Sequence, residues 1–365
     1  MRQFVYKGKG ICLFVLYMFL WAVSLQAQDS FTAHVEHLTT ANGLSNNTVR
    51  YIYQDSKGFI WFSTLNGLNR YDGNTFRTFL PKDIPGEISL ADGRVKSVCE
   101  DRYGFLWIAT SADRFSCYDL KRDCFVDFTG CGEYEKQYRY ITLLQDEVWL
   151  WGRGEGCRRI YRQNGTFISE VYCAGNGKLA SDAVGFVTQD KSGRVWIGTD
   201  KGLYSWQEGA LNCIVPEANF RRARCLSDYI CFITDKGEIW SIKAGNDSPT
   251  KSAQVPDITW GGDLPGDLAV QNQWVLFTKN KSYVYAADSR KLNPAPAEWN
   301  IPGAEVFMDN RGNYWAFNRT GNLHYIQAAT GKTQTFNLVP EEKVRFVDKE
   351  RYHVVHDSRD ILWIS

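Results

Sequence analysis

The chain has 365 residues, 44% apolar and 23% charged, a globular rather than a disordered composition. Lys plus Arg total 42 against 41 Asp plus Glu, without the basic excess that a nucleic-acid binder carries. Thirteen Trp, 19 Tyr, 21 Phe and 31 Gly against 10 Pro favour many short strands joined by tight turns.

Residues 1–27 read as a secretory signal peptide. Arg2, Lys7 and Lys9 form a basic start, Ile11 to Leu25 is almost wholly apolar, and a small residue, Ala27, stands at the cut. The apolar run is shorter than the roughly 20 residues of a membrane-spanning helix, although an uncleaved anchor is the alternative. Cleavage removes three basic residues and Cys12, leaving a chain near −2 with nine cysteines. Nine cannot all pair within one chain. Cys117 and Cys124 flank the turn Asp119–Asp123, and in a symmetric hairpin they face each other, so a disulfide is expected there. No CxxC or His-rich partner accompanies them, and neither a metal nor a cofactor is expected.

Beyond the signal a repeat dominates. Asp55-Ser56-Lys57-Gly58-Phe59-Ile60-Trp61 returns as Asp101 to Trp107, Asp190 to Trp196, Asp309 to Trp315 and Asp357 to Trp363. Degenerate copies lie at Val148–Gly152, Cys231–Gly237 and Val275–Thr278. The Trp register falls at 61, 107, 149, 196, 231, 275, 315 and 363, at spacings that fit a four-stranded propeller blade. Within one repeat Val49–Gln54 is a first strand and Asp55–Gly58 a turn. Phe59–Thr64, Leu68–Tyr71 and Thr75–Phe79 are three further strands, with Asp72-Gly73-Asn74 as a hairpin signal. The large Trp suits the space between blades.

The fold expected is therefore all-β: a β-propeller of seven four-stranded blades, with the start of a further blade or second propeller at the C-terminus. Its divisions are the signal at 1–27, the propeller at 28–340 and an incomplete eighth repeat at 341–365. Phe31–Leu38 could supply an outer strand to the last blade. The alternative count is an eight-bladed ring lacking half a blade.

The opening pattern His37-Leu38-Thr39-Thr40-Ala41-Asn42-Gly43-Leu44-Ser45-Asn46-Asn47, followed by the Asp55…Trp61…Gly67-Leu68 repeat, resembles the two-component regulator propeller repeat. It is similar to the N-terminal periplasmic part of hybrid two-component sensor histidine kinases of Bacteroidetes. That resemblance implies a periplasmic, ligand-sensing propeller, anchored in the inner membrane in the parent protein. It implies an oligosaccharide ligand, control of glycan-utilisation genes, a second propeller and a β-sandwich as partners, and a homodimer in the full-length parent. The kinase region is absent from this chain, which reads as a fragment or truncated frame and, by itself, as no enzyme. A secreted propeller enzyme, such as a lyase or glycan hydrolase, and a non-functional sensor remnant are the alternatives.

Binding is expected on the face where the long inter-blade connections gather, because varied loops on a rigid scaffold are where binding is placed. Sugars favour an aromatic platform beside polar side chains. The candidates in those connections are Asn47, Arg94, Tyr138, Arg139, Arg153, Arg222 and Trp260. An anionic glycan would give the arginines more weight, since guanidinium pairs bidentately with carboxylate or sulfate. The recurring Asp residues stand one per blade with Gly three positions on, a pattern for turns rather than for calcium. Five His are scattered, and no phosphate loop, GxSxG or HExxH motif occurs.

Overall fold

A computed structural model describes residues 36–112, 114–127, 138–152, 154–246, 248–256, 258, 267–278, 280–301, 303–308, 312–317, 322–337, 354–359 and 361–365. The signal-peptide reading, Phe31–Val35, Arg153, Trp260 and Asp309 lie outside them.

The first blade is built from Val49–Gln54, Ile60–Thr64, Leu68–Tyr71 and Phe76–Phe79, joined antiparallel in chain order. The predicted bounds hold to within one residue. Six more four-stranded sheets follow over residues 95–126, 140–172, 184–216, 220–254, 267–294 and 305–337. They are blades 2 to 7 of a seven-bladed propeller. All the strands lie in the unit Thr39–Ser365.

The core is a series of clusters between blades rather than one central mass. Trp61 of blade 1 packs with Leu106, Ile108 and Tyr118 of blade 2. Trp107 packs with Val148 and Leu150 of blade 3, and Trp149 with Val195 and Ile197 of blade 4. Trp196 meets Ile230 and Phe232 of blade 5, and Cys231, at the Trp position of blade 5, meets Trp274 of blade 6. Each second strand is thus covered on both faces, which explains why Ile60–Thr64 and Val195–Thr199 are buried at every residue.

A two-stranded sheet, Val354–His356 paired with Leu362–Ile364, carries the eighth repeat. Val355 and Trp363 pack on Ile60 and Phe62 of blade 1, while Leu362 packs on Trp315 and Leu323 of blade 7. Gln54 ties it to blade 1 by donating to Ser358 Oγ (2.9 Å) and accepting from Ser358 N (2.8 Å). The incomplete repeat therefore stands between the last complete blade and the first.

One correction concerns the cysteines. In the hairpin of blade 2, Cys117 is opposite Val126 and Asp119 is opposite Cys124. The turn is offset from the symmetric form, so Cys117 is buried, Cys124 is exposed and both are free thiols. The expected disulfide is not formed.

Candidate functional site

At the lower end of the blades, the Asp of each well-preserved repeat does one job. Asp55 Oδ1 accepts from Lys57 N (3.0 Å) and Phe59 N (2.9 Å), and Oδ2 accepts from the Trp61 indole (2.7 Å). Asp101, Asp190 and Asp357 repeat the arrangement with Trp107, Trp196 and Trp363 at 2.9, 2.8 and 3.0 Å. Their oxygens are filled by protein donors, so these carboxylates are turn and indole acceptors, as the spacing implied. A wide depression of about 460 Å³ opens beside these turns between blades 1 and 2, lined in part by Tyr53, Glu100, Arg102 and Lys121. Its Glu100 accepts from Ser56 N (2.7 Å) and Ser56 Oγ (2.5 Å) and is held in scaffold contacts.

The upper end carries the inter-blade connections. In regular blades an apolar residue opening the first strand faces a Thr closing the second: Val49 and Thr64, Val95 and Thr110, Val184 and Thr199, Phe220 and Thr234. All but Val49 are buried, and a bulge follows the apolar residue in each first strand. The Thr hydroxyl closes the next turn, as Thr64 Oγ1 donates to Gly67 O (3.0 Å) and Thr199 Oγ1 to Gly202 O (2.9 Å).

Blade 3 departs from this rule. Counted from the Trp, Gly152 stands where the Thr would be, and one pair inward, where blades 1, 2, 4 and 5 have Tyr51–Ser63, Ser97–Ala109, Phe186–Gly198 and Arg222–Ile233, blade 3 has Tyr140 opposite Trp151. The two rings stack, with centroids 4.4 Å apart and planes 28° from parallel. Trp151 is anchored below by the cluster containing Trp149 and Val195, and its indole N–H donates to Thr142 Oγ1 (2.8 Å). Tyr140 remains 37% exposed. The turn that Thr would close is replaced by the segment Gly152–Gly156. In it, Gly156 has φ +71° and leaves no room for a Cβ, which would stand 2.1 Å from Tyr172 O. Arg139 precedes the pair; its backbone N–H donates to Trp151 O (3.0 Å), and its guanidinium stands over the Tyr140 ring at 5.8 Å. Among the described residues Arg139 has no carboxylate partner.

Of the expected binding residues that are described, Arg139 alone is brought to this aromatic pair. Tyr138 is buried, packed in the cluster between blades 2 and 3 with Trp107 and Val148. Asn47 is exposed and its Oδ1 accepts from Thr40 N (2.7 Å), pinning the turn before blade 1. Arg94 is exposed and pairs with Asp92 in its own loop (3.4 Å). Arg222 lies on the first strand of blade 5 and joins Arg224 in binding Asp267 of blade 6; Asp267 also accepts from the Trp274 indole (2.7 Å). Burial alone would raise the Asp267 carboxyl, but the guanidiniums of Arg224 and Arg222 outweigh it and hold it well below the ordinary carboxylate value. Arg222 is thus a strut between blades.

Tyr140 and Trp151 were missed because Trp149 took the repeat register. The signal lay in Val148-Trp149-Leu150-Trp151, where a second Trp stands at the position that blades 1, 2 and 4 give to Ser63, Ala109 and Gly198. His324 (bonded to Thr335, 3.0 Å) lies in the third strand of blade 7 and His356 in the two-stranded sheet.

A family model described as two component regulator propeller matches residues 43–66 and 89–112, the opening motif with the Asp–Trp segment of blade 1 and the corresponding stretch of blade 2. In those two stretches the chain is similar to two-component regulator propeller repeats. It is 38% identical over 73 residues to Histidine kinase P4 of Formosa agariphila, an alignment covering 20% of this chain and 5% of that protein. Its fold resembles the extracellular domain of the proposed one component system BT4673 from B. thetaiotaomicron, with a TM-score of 0.50 and 15% identity over 87% of this chain and 49% of that one. It also resembles the computationally designed Ika8 protein, with a TM-score of 0.54 and 9% identity over 80% and 87% of the two chains. The chain spans about half the length of the B. thetaiotaomicron domain and a small part of the kinase. At such identities the two structural likenesses concern the fold alone.

Proposed function

We propose that this chain is the ligand-sensing propeller of a hybrid two-component sensor, placed in the periplasm by its signal peptide and responding to oligosaccharides. The observation that carries this reading is the match of its first two blades to two-component regulator propeller repeats. The upper face supports it, because blade 3 there carries Trp151 where blades 1, 2 and 4 have Ser63, Ala109 and Gly198, forming with Tyr140 a half-exposed aromatic pair beside an arginine. A local departure from the regular blades of a repeat scaffold is where function is to be sought. Asn47, Arg94 and Arg139 remain exposed on that side and are candidate ligand contacts. A second propeller, a sandwich and a homodimeric kinase would complete the parent sensor.

The reading is tested by deleting the gene in its host and profiling transcripts on single purified glycans. The expected result is a set of glycan-degradation genes induced by one glycan in the parent and silent in the deletion. Identical profiles on every glycan would sink the proposal.

A further inference from the structure

The geometry points to the upper rim of blade 3 as a subsite for an anionic pyranose, with Tyr140 and Trp151 as the platform and Arg139 as the anion partner. This deepens the sensor reading above and rests on it.

Three features of the site converge on that ligand. The first is rigidity: Trp151 is fixed by packing below and by its bond to Thr142, and Tyr140 is stacked upon it. A platform that is ordered before binding loses little entropy when a ring lies on it. The second is polarity. An exposed aromatic edge with an open polar handle suits a ligand having one apolar C–H face and hydroxyl edges, as a pyranose has. The third is charge. Arg139 is exposed, held in place through its backbone bond to Trp151, and has no carboxylate partner among the described residues. By contrast, Arg94 pairs with Asp92, Arg159 with Glu147 and Glu170, and Arg222 with Asp267. A guanidinium beside a ring platform is matched by a carboxylate or sulfate on the sugar.

The cost in scaffold terms is visible. Blade 3 loses the Thr hydroxyl that closes the turn after the second strand and takes a five-residue segment with three glycines instead. At the same pair blades 1, 2, 4 and 5 carry Tyr51–Ser63, Ser97–Ala109, Phe186–Gly198 and Arg222–Ile233, so the packing of a blade does not require two rings there.

Calorimetric titration of the chain with three trisaccharides tests the proposal: tri-galacturonate, a sulfated galactotriose and neutral galactotriose. One or both anionic sugars should bind at least about tenfold more tightly than the neutral one, the worth of one charge-assisted contact. Arg139→Gln should erase that preference, and Arg139→Lys should restore part of it. Tyr140→Val, which removes the ring and keeps a good strand former, should abolish binding while leaving the thermal melt near that of the parent chain. Should that variant fail to fold, Trp151→Phe, which keeps a ring but loses the Thr142 bond, should still weaken binding several-fold. Equal binding of neutral and anionic sugars would overturn the anionic assignment and leave the oligosaccharide reading standing. Binding unaffected by Tyr140→Val would overturn the platform. No binding of any of the three would overturn the subsite, whereas the sensor reading fails only if the transcript profile is also silent.

Discussion

The carboxylate of Asp101 joins its own turn to the indole of Trp107, one oxygen accepting from Tyr103 N and Phe105 N and the other from the indole at 2.9 Å. The same residue that shapes the turn also satisfies the only polar atom on the largest side chain between blades 2 and 3. Since a buried donor without a partner costs about 1–3 kcal/mol, turn and core stand or fall together.

Asp101→Ala should therefore destabilise the propeller well beyond a surface change, by roughly 2–4 kcal/mol, because three donors lose their acceptor at once. Asp101→Asn should cost less for the turn but still set an amide N–H or an amide oxygen against the indole with one contact unmade. Urea midpoints for the two variants and the parent check this; an Ala variant within about 0.5 kcal/mol of the parent would refute it.

Blade 3 supplies the control. Its Asp is missing, and the Trp149 indole N–H has no hydrogen-bond partner among the described residues. Trp149→Phe should thus be milder than Trp107→Phe, which leaves the Asp101 carboxylate without its indole. A difference of about 1–2 kcal/mol in urea unfolding is expected, in that order. The reverse order would mean that volume rather than the indole bond decides.

Asp267 should make stability fall in acid. Its folded carboxyl titrates below the ordinary value, so its contribution is present in full above the unfolded carboxylate range near 4 and is lost as pH falls toward the folded value. Stability measured from pH 6 down to pH 2 should decline less steeply in Asp267→Asn than in the parent. The variant should start lower, by about 3–5 kcal/mol, because it removes the negative charge that Arg224 and Arg222 share. Parallel pH profiles would remove Asp267 as the source.

Thiol labelling should sort the cysteines by environment. Cys124 and Cys213 are exposed, whereas burial, with Asp101 nearby, pushes the Cys99 thiol up to about 12. Burial likewise raises Cys117, Cys157 and Cys231. A water-soluble maleimide at pH 7.5 should modify Cys124 and Cys213 first, with the other four protected until denaturant is added. Peptide mapping under non-reducing conditions should return Cys117 and Cys124 on unlinked peptides. A linked pair would overturn the observed hairpin register.

The sequence by itself determined the blade. An Asp–Gly turn, a Trp in the second strand and a Gly–Leu opening of the third recur at a spacing that only a radial repeat satisfies, and the structure places each Trp between neighbouring blades as that reading required. These are local features whose period survives in the order of residues. What tertiary structure decided is everything that depends on which residues meet across strands and between blades. The offset of a two-residue slip separated Cys117 from Cys124. An ion pair between blades turned Arg222 from a candidate ligand contact into a strut, and the cluster around Trp107 took Tyr138 into the core. The stack of Tyr140 on Trp151 arises from residues eleven apart in the chain, brought opposite each other by the strand pairing of blade 3. Register is set by pairing and packing over whole strands, so no single segment of sequence announces it.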